Sequence, residues 1–137
     1  MVYKSVFEII GPVMVGPSSS HTAGALEIAL AARNKFGRQP DRAVITLYRS
    51  FAKTYKGHGT DVALVSGLLG FEADDLRIPD ALRLASETGM DVRFVVSDEV
   101  VNHPNTVRLF LSDERGKLEV VGESIGGGSF KVGEEDV

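Results

Sequence analysis

The chain has 137 residues, of which 43% are hydrophobic and 25% are charged, and its net charge is −4. This composition is typical of one soluble globular domain, and the negative charge excludes a general attraction to nucleic acid. No apolar stretch reaches the ~20 residues of a membrane span and the N-terminus has no secretory signal, so we expect a cytoplasmic protein without membrane contact. The absence of cysteine excludes disulfides, thiolate nucleophiles and metal sites ligated by sulfur from this chain.

Three helices are predicted from apolar residues that recur at helical spacing, each followed by a glycine suited to end it. Alanines dominate the apolar stripe of the first helix, so neighbouring backbone can pack close against it. Pro79 suits the first turn of the third helix. The predicted helices run from the GPSSSHT cluster to Gly37, from Gly59 or Thr60 to Gly70, and from about Pro79 to Gly89.

Four strands are predicted from alternating apolar residues, over 42–51, 92–96, 107–111 and 117–125. The turn DERG (113–116) favours a hairpin between the last two strands. Runs of helix followed by runs of strand predict an α+β fold, namely a single domain with a mixed or mainly antiparallel sheet of about four strands packed with helices. The acidic residues 133–137 are expected to form a frayed tail.

Four polar clusters interrupt these elements, and all three histidines of the chain lie within them. The clusters are GPSSSHT (16–22), KTYKGHGTD (53–61), NHPNT (102–106) and SIGGGSF (124–130). The start of a helix has free N–H groups and a partial positive charge, and both attract anions. Hydroxyl groups beside it add hydrogen-bond donors, so such a cluster can bind a carboxylate or a phosphate. Each cluster also has a plain structural interpretation, as a cap, a tight turn, a strand break or a tail. The placement of the histidines away from any apolar face favours a functional site.

His58 is the histidine for which the residues themselves favour chemistry most. It lies between two glycines just before the second helix, where the helix dipole disfavours imidazolium and leaves a neutral base. Asp61 has two candidate roles, which are to orient His58 or to complement the helix dipole.

In this order and spacing, the four clusters resemble the β chain of the iron–sulfur-dependent L-serine dehydratases, over about residues 5–132. A related fold is the allosteric substrate-binding domain of some D-3-phosphoglycerate dehydrogenases. The resemblance implies deamination of L-serine to pyruvate and ammonia with a [4Fe–4S] cluster. It also implies that cysteines of a partner α chain, and not this chain, hold the cluster. An open iron would act as a Lewis acid on the substrate while a base removes the Cα proton.

Carried onto this sequence, the resemblance implies a substrate pocket built from the first two clusters. His58 is the first choice for acid–base catalysis and His21 the second, and a group of the α chain is a third possibility. Gly126, Gly127 and Gly128 are expected to shape the backbone. The residues implied to bind substrate, in the same or a neighbouring site, are Ser18, Ser19, Ser20, Thr22, Thr60, His103 and Asn105.

The expected partners are the α chain and L-serine, with a homodimer as a further possibility. Separate β chains of the family often continue into an ACT regulatory domain. This sequence stops at Val137, so it is either a fragment or a chain without that domain.

Three other functions compete with the dehydratase interpretation. The main alternative is a regulatory domain that binds serine or another small anion without catalysis. A metal hydrolase built on His21, His58 and His103 is weaker, because no HExxH-like pair supports it. A Ser–His–Asp hydrolase is weaker still, because the chain has no G-x-S-x-G motif.

Overall fold

A computed structural model describes residues 20–48, 59–97, 106–126 and 129–135 of the chain. Within these ranges it has three α-helices, one 3₁₀ turn and five strands, which confirms the predicted α+β class. In chain order they are α1 (Ser20–Phe36), β1 (Arg42–Tyr48), α2 (Thr60–Leu68), the 3₁₀ turn (Ile78–Asp80), α3 (Ala81–Glu87), β2 (Asp91–Ser97), β3 (Thr106–Asp113), β4 (Gly116–Gly126) and β5 (Ser129–Glu135). None of these helices is long and apolar enough to cross a membrane.

The five strands form one mixed sheet in the order β2-β1-β3-β4-β5. Strands β1 and β2 are parallel, and every other neighbouring pair is antiparallel. The predicted hairpin is confirmed, and the N–H groups of Arg115 and Gly116 both donate to the Asp113 carboxylate in its turn.

Strand β5 adds a fifth strand to the mixed sheet, for which the sequence predicted about four, and it includes residues 133–135 of the expected tail. In the structure β5 continues to Glu135, which pairs with Glu119 of β4. Its sequence, SFKVGEE, has little apolar alternation, so periodicity gave no strand signal. The strand forms because the free edge of β4 offers it backbone hydrogen bonds, which do not depend on side-chain pattern.

One face of the sheet carries the hydrophobic core, and the alternation predicted for β1 is confirmed. The fully buried side chains of this face are Ala43, Ile45, Leu47, Val107, Leu109, Leu111 and Val120. Helix α1 packs against β3, β4 and β5, and α3 packs against β2. Gly122 allows the close approach of α1, since a side chain at this position would collide with Ile28.

The helices end where the sequence predicted. Gly37, Gly70 and Gly89 all have positive φ angles, of 90°, 87° and 85°. The N–H of Gly37 donates to the carbonyl of Arg33 at 2.8 Å. This is the last hydrogen bond of α1, because the positive φ of Gly37 turns the chain out of the helix. The third predicted helix differs in detail, because its first turn around Pro79 is 3₁₀ rather than α.

Candidate functional site

Three of the polar clusters lie next to strands at one common end of the sheet: the second lies between β1 and α2, the third between β2 and β3, and the fourth between β4 and β5. Tyr48 and Ser97, the last residues of β1 and β2, are paired with each other. Strand β3 begins at the same end with Thr106, because it runs antiparallel to β1. The connection from Gly126 to Ser129 joins β4 to β5 there as well. We call the end formed by these five residues the motif end of the sheet.

Helix α1, which carries the last residues of the first cluster, also begins at the motif end. A short connection over residues 37–41 joins α1 to the start of β1. Such a connection reverses the chain, so α1 runs antiparallel to β1 and its first residue, Ser20, lies at the motif end of the sheet. All four clusters therefore border on the motif end of the sheet.

Helix α2 lies beside α1 and runs in the same direction. Gly67 of α2 lies against Ala29 of α1, and Gly70, three residues further on, lies against Arg33. Because the contact advances along both helices together, their first turns are neighbours. Thr60 precedes Gly67 by about two helical turns, so it lies on the face of α2 that is turned toward α1.

The Thr60 hydroxyl is the most informative polar group at this end. Its side chain is fully buried, and its oxygen has no hydrogen-bond partner among the described residues. Leaving a buried hydroxyl unpaired costs about 1–3 kcal/mol. A ligand that hydrogen-bonds to Thr60 would recover this free energy. Thr60 therefore marks the point between the two helix starts where a small polar ligand is expected.

The start of α2 is suited to an anionic ligand. Gly59 occupies the N-cap position with φ 78° and has no side chain that could accept a hydrogen bond from the first turn, and both Gly59 and Thr60 are buried. Asp61 accepts a hydrogen bond from the N–H of Val62 at 2.8 Å, which confirms its role at the helix start. Its alternative role, the orientation of His58, stays a prediction. The N–H groups and dipole of the helix start favour a carboxylate.

The structure adds two residues that the sequence reasoning missed. Tyr48 and Thr106 are only 3% and 4% exposed, although they lie on the sheet face opposite the core residues. The antiparallel register places them across from each other at the motif end. Thr106 is the last residue of the NHPNT cluster and Tyr48 precedes the KTYKGHGTD cluster by five residues, so a position at a strand end next to a polar cluster was the available signal.

The structure describes part of the predicted site. Ser20, His21 and Thr22 form the first turn of α1, and Thr60 is the first residue of α2. Gly126 is the last residue of β4. The remaining predicted residues lie outside the described ranges and stay predictions; they are Ser18, Ser19, His58, His103, Asn105, Gly127 and Gly128. Among the described residues, no group of three or more His, Cys, Asp or Glu side chains could hold a metal ion.

The fold and the site define a single α+β domain in which two neighbouring helix starts and a buried hydroxyl are gathered at one end of a mixed sheet. Residues 5–89 match the family described as serine dehydratase beta chain, and the chain belongs to this family.

Two beta chains and one longer L-serine dehydratase match nearly the whole of this chain. A probable L-serine dehydratase, beta chain, from Bacillus subtilis (strain 168) is 56% identical over 134 residues, which are 98% of this chain and 61% of the relative. The L-serine dehydratase, beta chain, of Peptoniphilus asaccharolyticus is 48% identical over 134 residues, or 96% of this chain and 60% of the relative. L-serine dehydratase 2 of Escherichia coli (strain K12) is 34% identical over 156 aligned positions, which cover 96% of this chain and 34% of that protein. The chain thus spans about three fifths of the beta-chain relatives it matches.

Proposed function

We propose that this chain forms part of the β subunit of an L-serine dehydratase, which acts in the cytoplasm together with an α chain and converts L-serine to pyruvate and ammonia. The family membership and the names of the relatives support this function. The structural observation that carries it is the buried Thr60 hydroxyl, which has no hydrogen-bond partner among the described residues and lies between two helix starts that bear the family's motifs.

The chemistry of L-serine suits these groups. The substrate presents a carboxylate, which the helix starts of α1 and α2 would bind through their N–H groups. The Thr60 hydroxyl would then donate to a carboxylate oxygen or accept from the ammonium group. Ser18, Ser19, Ser20 and Thr22 would supply further hydroxyls from the first cluster, and His103 and Asn105 would border the same pocket.

The reaction needs a base close to Cα. Removal of the Cα proton and loss of the hydroxyl group as water give 2-aminoacrylate, and its hydrolysis then gives pyruvate and ammonia. His58 is the proposed base, since its position before α2 favours a neutral imidazole. His21, in the first turn of α1, is the alternative.

The residues of this chain do not fit the ligand set of a [4Fe–4S] cluster. The sequence has no cysteine, and the described residues contain no cluster of three or more metal-binding side chains. We therefore propose that the cluster belongs to the α chain, and we assign to this chain the binding and orientation of the substrate.

Reconstitution tests the proposal. This chain is mixed with an α chain that carries its cluster, and pyruvate formation from L-serine is compared with that of the α chain alone. A large gain in rate is expected, because the α chain alone lacks the helix starts that bind the carboxylate. No gain in rate, together with calorimetric binding of L-serine by this chain, would support the regulatory alternative and overturn the catalytic function.

A further inference from the structure

Strand β2 forms one edge of the sheet. It pairs with β1 on its inner side, and no strand among the described residues pairs with its outer side. An edge strand presents a row of backbone N–H and C=O groups that can pair with another chain, and charged side chains discourage such pairing. The strand at the other edge, β5, carries Lys131, Glu134 and Glu135. Residues 94–97 of β2 carry no charge, so the β2 edge has much weaker protection.

The exposed apolar side chains in the described part of the chain are concentrated around the β2 edge. Four large hydrophobic residues are exposed there, and two of them are Val95 and Val96 of β2, at 44% and 52%. A third, Leu82, belongs to α3, which packs against β2, and the fourth, Leu76, lies in the connection that leads to α3. Because Val95 and Val96 are consecutive, they lie on opposite faces of the sheet. The edge is therefore apolar on both faces.

The sequence of β2 is complementary to itself in the antiparallel direction. When two copies pair over all seven residues, Phe94 lies across from Phe94 of the second copy, and Val92 lies across from Val96. These residues share the face of the core, because their register partners in β1 are fully buried core residues. The cross-strand pairs on this face are thus one aromatic pair and two valine pairs, and packed apolar pairs of this kind stabilise antiparallel strands.

The other face of the same register brings no like charges directly together. Arg93 lies across from Val95 of the second copy, and Asp91 lies across from Ser97. The Arg93 guanidinium keeps the Asp91 carboxylate of its own chain, 3.6 Å away, as its ion-pair partner. A shift of one copy by two residues either opposes the two Arg93 side chains or leaves the first two residues of β2 unpaired. The full-length register is therefore the favoured one.

We propose that two copies of this chain associate through their β2 strands, which pair antiparallel about a two-fold axis at Phe94. The same surface of each copy forms the contact, as a two-fold interface requires, and two five-stranded sheets become one sheet of ten strands. The two α3 helices lie on the same side of this sheet beside the axis, because each packs against its own β2. The inference goes beyond the proposed function and does not depend on it, since it needs neither the α chain nor the substrate.

The oligomeric state of the full chain, without an α chain, tests this contact. Its mass is measured by sedimentation equilibrium from low micromolar to millimolar concentration, and amide hydrogen exchange is measured at both limits. We expect the mass to rise from that of one chain toward that of two. Amides of β2 should exchange more slowly at the high concentration, because half of the pairing capacity of an edge strand is satisfied only in the dimer. The amides of β5, at the other edge, should exchange equally at both concentrations.

Position 95 offers two variants that differ in the sign of one charge and test the register. Val95 lies across from Arg93 of the second copy, so Val95→Glu should lower the dissociation constant of the dimer roughly twofold to tenfold. Val95→Lys should raise it by at least as much, because two symmetry-related pairs change at once. A mere loss of apolar surface would weaken association in both variants. Leu76→Lys is the control and should leave the dissociation constant unchanged, since Leu76 lies outside β2 and α3.

Three outcomes would overturn the inference. The first is a mass of one chain at every concentration, including the case in which only addition of the α chain protects the β2 amides. The second is a dimer that protects another segment and leaves β2 unprotected. The third is a change in the same direction for Val95→Glu and Val95→Lys, which excludes the pairing of position 95 with Arg93. If a variant does not fold, as its urea transition would show, the exchange of the unmodified chain decides.

Discussion

A β-carbon added to Gly67 of α2 would lie 2.5 Å from the β-carbon of Ala29 in α1. This is well inside van der Waals contact, so the two helices pack through their backbones at this point. The same close approach brings the first turns of α1 and α2 together at the motif end, with Thr60 between them. The two small residues therefore determine the geometry of the candidate site two helical turns away.

We expect Gly67→Ala to destabilise the fold by about 1–3 kcal/mol, because over-packing forces the helices apart. The loss should occur although alanine is the better helix former by about 1 kcal/mol. The measurement is the urea midpoint of unfolding. Gly133→Ala is the control and should change stability by less than about 0.5 kcal/mol, since a β-carbon there meets no atom within 4 Å. Equal midpoints for the two variants would contradict the packing argument.

Thr60→Val should separate ligand binding from stability. Valine has the shape of threonine without the unpaired hydroxyl, so the melting temperature should be unchanged or higher. The KM for L-serine in the reconstituted complex should rise roughly tenfold or more, as expected for a lost hydrogen bond to a charged ligand. Ser66→Ala is the matched control, because the Ser66 hydroxyl is also buried without a partner among the described residues but lies in the last turn of α2. An unchanged KM in Thr60→Val would remove Thr60 from the site.

His58→Ala should abolish deamination in the complex while the fold and the cluster of the α chain stay intact. Loss of a positioned general base typically lowers turnover by ~10²–10⁴. Steady-state pyruvate formation is measured beside thermal melts and cluster absorbance. Near-normal turnover with the cluster present would exclude His58 as the base and transfer that role to His21 or to a group of the α chain.

The Asp113 carboxylate lies at the end of the sheet opposite the motif end, and it makes the stability of the fold depend on pH. It accepts hydrogen bonds from Arg38, at 2.7 Å from one terminal nitrogen, and from the N–H of Arg115 at 2.8 Å. The Arg38 hydrogen bond is the main cause that holds the pKa of Asp113 well below its ordinary value of 3.8. The stability that this carboxylate contributes is therefore fully present above pH ~5 and is lost as the pH falls through the lowered pKa.

We expect Asp113→Asn to reduce stability at neutral pH, and the difference from the unmodified chain to shrink as the pH falls from about 5 toward 2. Arg38→Gln should show the same pH dependence, and the double variant should be no worse than either single variant. The measurement is a series of urea midpoints across this range. A difference that stays constant with pH would contradict the assignment.

Glu27 of α1 should affect the pH dependence of stability in the opposite direction from Asp113. Burial raises the pKa of this carboxyl above 4.5, and the charge of Glu72 raises it further. A carboxyl with a raised pKa in the folded chain weakens the fold once it ionises, so its penalty is present at neutral pH and disappears as the pH falls below the raised pKa. Glu27→Gln should therefore raise the urea midpoint at pH 7 but not at pH 4. Glu72→Gln should give a smaller increase, and no increase in either variant would contradict the electrostatic cause.

The local features of the fold could be predicted from the sequence because their causes are local. The alternation of apolar residues identifies strand β1, and the helix ends are identified by Gly37, Gly70 and Gly89. Each of these signals depends only on residues that are neighbours in the chain. Strand β5 could not be predicted in this way, because it forms by backbone pairing with β4 and only Phe130 and Val132 of SFKVGEE alternate with polar residues.

For the site, the sequence by itself determined the residue types of the four clusters and their resemblance to the serine dehydratase β chains. Only the tertiary structure decided that these clusters border on one end of the sheet. The parallel pairing of β1 with β2 and the shared direction of α1 and α2 are contacts between distant segments, and no periodicity in either segment encodes its partner. The same holds for Thr60, whose burial depends on α1.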